Sequence, residues 1–419
     1  MRKYLSGLWK KIKNGSIKLK VFVSLIVVLY IGIVCVCVIP VDVDSSIPGT
    51  VTNVSSLIDI ESENEAGNIY TVSIFSESKI SILQYLLTKL DKNSDIELGK
   101  PIALDIFTEN EEYATNYGYK LQSIQDSIIV GYNQAIADGY EVVLDYSYQG
   151  QYLINIPQNT FKTGGEDFKN GDIIVGFNDN KFTSEDDYLS SLDTVFASIT
   201  YEEKTIKQLK EEGKFNLYDK DGKLIEENKN LLFYLIDYIK DVKTEYNFKI
   251  LRNNEEKTIT PSSTMLFYLY SNKLIKTVDN IPTLYTIYEN YFTSYVINYD
   301  KCSPKIDISK TNTVGPSGGL LQALAVYNSI TSNDVTKGLR IMGTGGININ
   351  GDATLIGGER QKIVTAQLYS ADIFFIPEGN YESAKTMYET IEDVKYVLVP
   401  VNSLKDVINY LNNMEVTNE

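Results

Sequence analysis

The sequence of 419 residues contains no histidine and only three cysteines. Without histidine the chain cannot build a Ser-His-Asp or Cys-His catalytic site, a histidine general base, or a histidine-ligated zinc or haem centre. Cys35 and Cys37 lie in an apolar run, which leaves Cys302, so neither a disulfide framework nor a four-cysteine zinc site can form. Chemistry must therefore use serine, threonine, lysine, tyrosine or carboxylate side chains, and we expect no metal and no cofactor.

Positive charge is scarce beyond the start of the chain. The sequence has 39 basic and 55 acidic residues, and residues 1–20 hold seven of the basic residues and no acid, so the remainder carries a net charge of −23. Such an acidic body repels the phosphate backbone, which excludes nucleic acid as a partner. The 43% hydrophobic and 22% charged residues are typical of a globular protein, long enough for about two to three domains.

One apolar run is long enough to cross a membrane. Residues 21–39 are nineteen residues without a charge, and as a helix they would span about 28 Å, close to the thickness of a bilayer core. A cleavable signal peptide would have a shorter apolar stretch and a small-residue cleavage site, which VIPVDVDSS does not provide. We therefore predict a single-pass protein of the cell membrane, with a cytoplasmic N-terminus and the rest of the chain outside.

Strand and helix patterns alternate after this run. Residues 69–75 (IYTVSIF) predict a strand, residues 80–90 predict a helix, and residues 109–140 predict an amphipathic helix. We expect residues 41–140 to form a juxtamembrane and N-terminal α/β region.

From residue 141 the pattern becomes rich in strands. The block FKNGDIIVGFN (168–178) combines a polar turn with an apolar strand. Residues 246–261 predict two strands joined at Asn253 and Asn254, a hairpin turn signal that follows Arg252.

These blocks resemble a PDZ domain over residues 141–262, with a charged, mostly helical insertion at residues 199–243 that ordinary PDZ domains lack. A generic small β domain is the alternative. The resemblance implies that protein or peptide substrates bind here, in a loop that receives a peptide C-terminus. The residues of that loop would be Gly150, Gln151, Tyr152 and Leu153.

The motif GPSGG is followed by an apolar helical face. Pro316 cannot continue a preceding helix, so Ser317 would lie at a helix N-terminus, beside unpaired N–H groups. This position suits a nucleophile whose substrate develops an oxyanion, although a plain helix cap is the alternative. GPSGG also looks like the GDSGG of chymotrypsin-type proteases, but that class needs a histidine base. Lysine is the base that remains available.

A candidate base follows downstream. Lys362 lies 45 residues after Ser317, in IGGERQKIVTA, behind a glycine pair. The segment between them predicts a hairpin, and Thr344 lies in it, 18 residues before Lys362. A free lysine has a pKa of about 10.4, so burial away from anions must lower the pKa to about 7 for this role.

In this order and spacing, these segments resemble the proteolytic domain of Lon-type serine proteases, whose dyad is a Ser in GPSAG and a Lys after a Gly-Gly pair. They resemble more closely a membrane-anchored bacterial subfamily that joins an N-terminal helix, a PDZ domain and a Lon protease domain without an ATPase. The resemblance implies that Ser317 is the nucleophile, Lys362 the general base, and Thr344 the hydroxyl that binds the lysine. It also implies a possible homo-oligomeric ring. The supporting loop residues would be Gly315, Pro316, Gly318 and Gly319.

The chain departs from the family pattern at three positions. Gly318 replaces the usual alanine, and Gly346 replaces a side chain, which would loosen its strand. Val314 replaces the acid of many ATP-dependent relatives, which would change how Lys362 is held.

No GxxxxGK[ST] motif occurs in the sequence, so we expect no P-loop ATPase. The predicted function is that of a membrane-anchored, ATP-independent serine endopeptidase with a Ser-Lys dyad, which cleaves unfolded or flexible extracytoplasmic proteins or peptides presented by the PDZ-like domain. The alternative is a catalytically inactive, membrane-tethered peptide-binding adaptor with a Lon-like shell. The predicted fold is a multidomain α+β protein. Its segments are a cytoplasmic basic segment (1–20), a transmembrane helix (21–39), an N-terminal α/β region (41–140), a PDZ-like domain (141–262) and a Lon-type proteolytic domain (263–419).

Overall fold

The computed structural model describes residues 14–60, 68–98, 106–157, 167–242, 245–278, 280–308 and 315–414. Helices and strands are mixed along the chain, as the predicted α+β class requires. The helices are Ile17–Val38 (α1), Ile82–Leu90 (α2), Glu109–Ala137 (α3), Glu185–Phe196 (α4), Ile206–Glu211 (α5), Glu226–Ile239 (α6), Ser263–Ser271 (α7), Gly319–Ile330 (α8), Glu359–Leu368 (α9), Glu378–Tyr388 (α10) and Leu404–Asn413 (α11), with 3-10 turns at Val54–Ser56 and Tyr299–Lys301.

The strands are also numbered along the chain. They are Val43–Asn53 (β1), Ile58–Ile60 (β2), Ile69–Glu77 (β3), Asp95–Leu98 (β4), Tyr146–Leu153 (β5), Ile173–Phe177 (β6), Asn180–Lys181 (β7), Thr200–Tyr201 (β8), Lys204–Thr205 (β9), Phe248–Arg252 (β10), Glu255–Ile259 (β11), Lys273–Val278 (β12), Ile281–Thr286 (β13), Tyr291–Ile297 (β14), Ile306–Ile308 (β15), Ile341–Gly343 (β16), Gly346–Ile347 (β17), Ala353–Thr354 (β18), Ile373–Pro377 (β19) and Val397–Val401 (β20).

Helix α1 contains most of the predicted apolar run. Ser16 caps it by accepting a hydrogen bond from the Leu19 N–H at 3.3 Å. The helix has 22 residues, and by length and composition it could cross a membrane. None of its residues is buried against the rest of the described chain, so its apolar surface is available to lipid.

Sheet A has six strands in the order β20-β19-β16-β3-β1-β4. Strand β3 runs parallel to β16, and β16, β19 and β20 are parallel to one another, whereas β1 and β4 are antiparallel to their neighbours. The N-terminal α/β region and the C-terminal segment therefore share one sheet, although the sequence assigned them to separate segments. The reason is the pairing of Ile69 with Ile341, which local patterns cannot reveal.

Helices cover both faces of sheet A. In β19, Ile373 and Phe375 belong to the apolar core that includes α3, α8 and α11. Phe374 and Ile376 belong to a second core, formed with α9 and α10. This alternation follows from the period of two in a strand, and it places α8 and α9 on opposite faces of the same sheet.

Sheet B has the order β11-β10-β6-β5-β14 and packs on its own apolar core with α4, α6 and α7. The predicted hairpin is present as β10 and β11, with Asn253 and Asn254 at φ values of 54° and 64°. Buried Arg252 donates to both carboxylate oxygens of Asp172 at 2.7 Å, which joins this hairpin to the NGD turn before β6.

Within residues 199–242, the segment predicted as a helical insertion contains helices α5 and α6, of 6 and 14 residues, and the short β8–β9 pair, with turns and loops between them. Residues 263–278 and 280–297 also pack with sheet B, although the sequence placed them in the C-terminal domain. Their β14 pairs with β5 along its whole length, and α7 is buried in the core of sheet B because all its residues from 265 to 270 are apolar or aromatic.

Candidate active site

Ser317 lies in a short loop before α8. The loop is held by helix α3, because the Gly315 N–H donates to the Asn116 carbonyl at 3.2 Å and the Ser123 hydroxyl donates to the Pro316 carbonyl at 3.0 Å. Gly315 has a φ of 94°, a left-handed conformation that favours glycine. The loop is thus fixed by contacts from a helix almost two hundred residues earlier in the chain.

Helix α8 packs closely on α3, and all twelve of its residues are buried. A side chain at Gly131 of α3 would place its Cβ 2.6 Å from Val326, so glycine is needed for this approach. The Ser127 hydroxyl donates to the Gly319 carbonyl at 2.9 Å. These contacts hold the first turn of α8, and with it the position of Ser317.

The backbone around Ser317 leaves two donors available. Its carbonyl accepts from the Gly345 N–H at 2.8 Å, while the Gly319 N–H donates back to Pro316 at 3.1 Å. Among the described residues, the N–H groups of Ser317 and Gly318 have no hydrogen-bond acceptor. They lie at the positive end of the α8 dipole, where an anionic oxygen would be stabilised.

Lys362 reaches the same place from α9. It is 3% exposed, and its Nζ donates to Thr344 Oγ1 at 3.0 Å. The Thr344 hydroxyl in turn donates to the Ser317 carbonyl at 3.1 Å. The structure therefore brings together the three residues that the sequence singled out, with Thr344 as the link between the other two.

Burial determines the charge of Lys362. Desolvation lowers its pKa from 10.5 to about 8, while the nearby Glu359 carboxylate acts in the opposite direction. In the described part of the chain no carboxylate forms an ion pair with Lys362. A neutral amine is therefore accessible near neutral pH, and only a neutral amine can accept a proton.

Helix α9 is fixed by strands from the N-terminal region. The Gly49 N–H of β1 donates to Thr365 Oγ1 at 3.1 Å, and Gln361 donates to the Asp95 carboxylate of β4 at 2.7 Å. Sequence reasoning did not find these residues, nor Asn116 and Ser123 of α3. None of them lies in a motif, and their roles depend on contacts between distant parts of the chain.

The structure explains the glycine at 346. It pairs with Thr354 across β17 and β18, and a Cβ at this position would lie 2.2 Å from Thr354 Oγ1. Thr354 therefore fills the space that a side chain at 346 would occupy, and the strand remains paired. A Cβ at Gly318 would lie 2.9 Å from Gln322 Nε2 and 3.0 Å from Thr71. Val314 lies outside the described residues.

The four residues predicted to form a peptide-receiving loop lie in a strand instead. Gly150, Gln151, Tyr152 and Leu153 form the end of β5, which pairs with β14 on one side, and Gln151 and Tyr152 also pair with β6 on the other. The glycine serves close strand packing, because a Cβ there would lie 2.3 Å from the Ile174 carbonyl oxygen. No free strand edge remains at Gln151 and Tyr152 to accept a peptide.

A cleft of about 480 Å³ opens beside the Ser317 loop, between α3 and the β17–β18 pair. Its walls include Pro316, Gly346 and Tyr119, and among the described residues Glu289 is the one charged side chain that lines it. Among the described residues, no three His, Cys, Asp or Glu side chains are grouped so that they could hold a metal ion. The groups that the structure gathers at Ser317 are a hydroxyl, the Lys362 amine and backbone N–H donors.

Comparisons with known proteins identify this region. Residues 299–413 match the family model of the Lon protease (S16) C-terminal proteolytic domain. The Lon protease of Aster yellows witches'-broom phytoplasma is 32% identical over 95 residues, which are 23% of this chain and 12% of that protein. Lon protease 2 of Borreliella burgdorferi is 29% identical over 136 residues, 30% of this chain and 16% of that protein. The similarity thus spans less than a fifth of the length of either relative. The part of the chain that holds Ser317, Thr344 and Lys362 therefore matches the Lon-type (S16) proteolytic domain, and this match supports a serine peptidase.

Proposed function

We propose that the whole chain is a membrane-anchored, ATP-independent serine endopeptidase in which Ser317 is the nucleophile and Lys362 the general base. The observation that carries this proposal is the buried Lys362, whose pKa is lowered to about 8 and whose Nζ is linked through Thr344 to the backbone of Ser317. A structural lysine gains little from burial without a carboxylate, whereas a general base needs this environment.

The reaction uses groups of this chain at each step. The Ser317 Oγ attacks the peptide carbonyl as the neutral Lys362 amine takes the hydroxyl proton. The carbonyl oxygen becomes an oxyanion, which the N–H groups of Ser317 and Gly318 stabilise. Lys362 then gives its proton to the leaving amine as the C–N bond breaks, and an acyl ester remains on Ser317. Water attacks this ester with Lys362 again acting as the base, which releases the carboxylate product and restores the hydroxyl.

Membrane anchoring is supported by the length and apolar surface of α1. The seven basic residues before it favour a cytoplasmic N-terminus, with the catalytic domain on the other side. ATP independence is supported by the absence of a P-loop motif from the sequence. Without a motor, the substrates are unfolded or flexible proteins and peptides.

The sheet B domain is proposed to present substrates. It is tied to α3, the helix that also holds the Ser317 loop, because Gln125 accepts from the Tyr295 N–H at 2.8 Å and donates to the Thr293 carbonyl at 3.3 Å. A cavity of about 360 Å³ lies between α3 and sheet B, and Tyr152 and Phe292 line it. This cavity, and not a strand edge, is where we place the peptide segment. We also propose a homo-oligomeric ring, on the resemblance to Lon-type domains alone.

The experiment is cleavage of casein by the full-length chain in detergent, without ATP, beside the variants Ser317→Ala and Ser329→Ala. Ser329 is the matched control, since it lies in α8, is buried, and its hydroxyl has no partner among the described residues. We expect cleavage by the wild type and by Ser329→Ala, and none by Ser317→Ala. A serine-reactive probe should label the same two proteins. If all three proteins remain unlabelled and inactive, the peptidase proposal fails and the adaptor interpretation replaces it.

A further inference from the structure

Helix α2 presents a row of leucines to solvent. They recur at spacings of three and four residues, so they lie on one face of the helix. None of the nine residues of α2 is buried, although most of them are apolar. We call this face the leucine stripe. Its members are Leu83, Leu86, Leu87 and Leu90, which are 38%, 49%, 58% and 82% exposed.

The apolar surface continues beyond the helix. Leu98, in the edge strand β4, is 88% exposed, and Phe75 of β3 is 55% exposed. Helix α2 packs against β1 and against β4, the strand of Leu98, and Phe75 pairs with Ile47 of β1. Single exposed leucines are common on soluble proteins, but a contiguous apolar patch usually marks a surface that contacts a partner.

The position of α2 indicates which partner this is. The Ile82 N–H donates to the Ile39 carbonyl at 3.1 Å, and the Val41 N–H donates to the Ile80 carbonyl at 2.8 Å. The first residue of α2 is therefore bonded to Ile39, the residue that caps the end of α1. A helix of nine residues is about 14 Å long. The leucine stripe thus begins at the end of the candidate membrane span and remains close to it.

We propose that the leucine stripe lies in the bilayer surface, with its side chains among the first acyl carbons and the helix at the level of the lipid headgroups. This inference rests on the proposed membrane anchoring by α1. Lipid must cover the exposed apolar surface of α1, and the same lipid extends to a helix that starts where α1 ends. Tyr85 and Lys89 of α2, whose Nζ lies 5.4 Å from the tyrosine ring centroid, are residue types found at membrane interfaces.

This contact would fix the orientation of the active site. Helix α2 packs on β4, whose Asp95 accepts a hydrogen bond from Gln361, the neighbour of Lys362. Sheet A is therefore attached to the bilayer both through α1 and through α2. The cleft beside the Ser317 loop would then have a fixed height and orientation above the membrane, which a single flexible attachment would not provide.

Tryptophan fluorescence of the full-length chain can test the contact. Trp9 is the one native tryptophan, so Trp9→Phe provides a background for single probes at Leu87→Trp and, as an independent second variant, Leu86→Trp. The proteins are reconstituted into vesicles of phosphatidylcholine and phosphatidylglycerol, with or without lipids brominated near the headgroup end of the acyl chain. At both positions we expect a shift to shorter wavelength and loss of most of the intensity with brominated lipid.

Two controls separate the possible outcomes. Tyr288→Trp, at a side chain that is 93% exposed, should remain unquenched. Val28→Trp, in the middle of α1, should be quenched most by lipids brominated deep in the chain. If Val28→Trp is quenched but both α2 probes are not, the anchor holds and the proposed surface contact is wrong. Blue-shifted but unquenched α2 probes would assign the stripe to a second copy of the chain. If Val28→Trp is also unquenched, the anchoring proposal itself fails.

Discussion

Under the proposed mechanism, the pH dependence of acylation follows from the environment of Lys362. Its pKa of about 8 means that about 9% of the amine is neutral at pH 7 and about 90% at pH 9. The acylation step needs the neutral form, so kcat/KM should rise about tenfold between these values and then level off. The same lysine with an ordinary pKa of 10.5 would still be gaining activity above pH 10.

Glu359 offers a way to move this profile. Its carboxylate raises the pKa of Lys362, so Glu359→Gln should shift the midpoint of the profile to lower pH. Glu378, in the first turn of the neighbouring helix α10, is exposed and does not act on Lys362, so Glu378→Gln is the matched control. The assay is release of a fluorophore from a peptide substrate at low substrate concentration, from pH 6 to 10.

The pH dependence of stability provides an independent test of the direction in which the pKa of Lys362 is shifted. The pKa of Lys362 is lower in the folded than in the unfolded chain, so the unfolded chain binds more protons between the two values. The contribution of Lys362 to the free energy of unfolding should therefore rise as pH increases from about 8 to about 10.5, and below pH 8 the buried lysine costs about 3 kcal/mol. Lys362→Met should abolish acylation, and the difference in unfolding free energy between the wild type and this variant should show this contribution as a function of pH. A flat activity profile from pH 7 to 9, or a midpoint unchanged in Glu359→Gln, would refute the assignment of Lys362 as the base.

Three further predictions test the surroundings of the site. Thr344→Val removes the hydroxyl that links Lys362 to Ser317. Unfolding assays should show a loss of about 1–3 kcal/mol of stability, and peptidase assays a fall in activity of about tenfold or more. Thr344→Ser keeps the hydroxyl and should retain both stability and activity. Gly346→Ala brings a Cβ to 2.2 Å from Thr354 Oγ1 and should cost about 1–3 kcal/mol in urea unfolding, and recovery by Thr354→Ala in a double-mutant cycle would confirm the clash. Glu289 is the charged residue found in the cleft wall, so Glu289→Lys should move the preference from lysine- to glutamate-containing peptides by about two- to fivefold. The change in preference should be smaller at high salt. Equal changes in kcat/KM for both peptides would contradict this prediction.

The proximity of Ser317, Thr344 and Lys362 was implied by the resemblance of their segments to the Lon-type proteolytic domain. The helices and strands that carry strong periodicity, such as β3, α3 and the β10–β11 hairpin, were also predictable. Long-range pairing was not, since nothing local in Ile69 or Ile341 indicates that they face each other in adjacent strands. The prediction of a loop at Gly150 was wrong. A glycine in such a segment is compatible with closely paired strands as well as with a peptide-binding loop, and here it lies in a strand.

The Ser–Lys pair depends on more of the chain than the matched segment. Residues 299–413 match the proteolytic family, but the Ser317 loop is bonded to Asn116 and Ser123 of α3. Helix α9, which carries Lys362, is hydrogen-bonded to Gly49 of β1. Strand β16, which directly precedes Thr344, pairs with β3. Each residue of the site is therefore positioned by contacts from α3, β1 or β3. These elements precede the sheet B domain in the sequence, whereas the site residues follow it. Helix α3 is hydrogen-bonded both to β14 of sheet B and to the Ser317 loop, so under the proposed function a peptide bound at sheet B would influence the Ser317 loop through this helix.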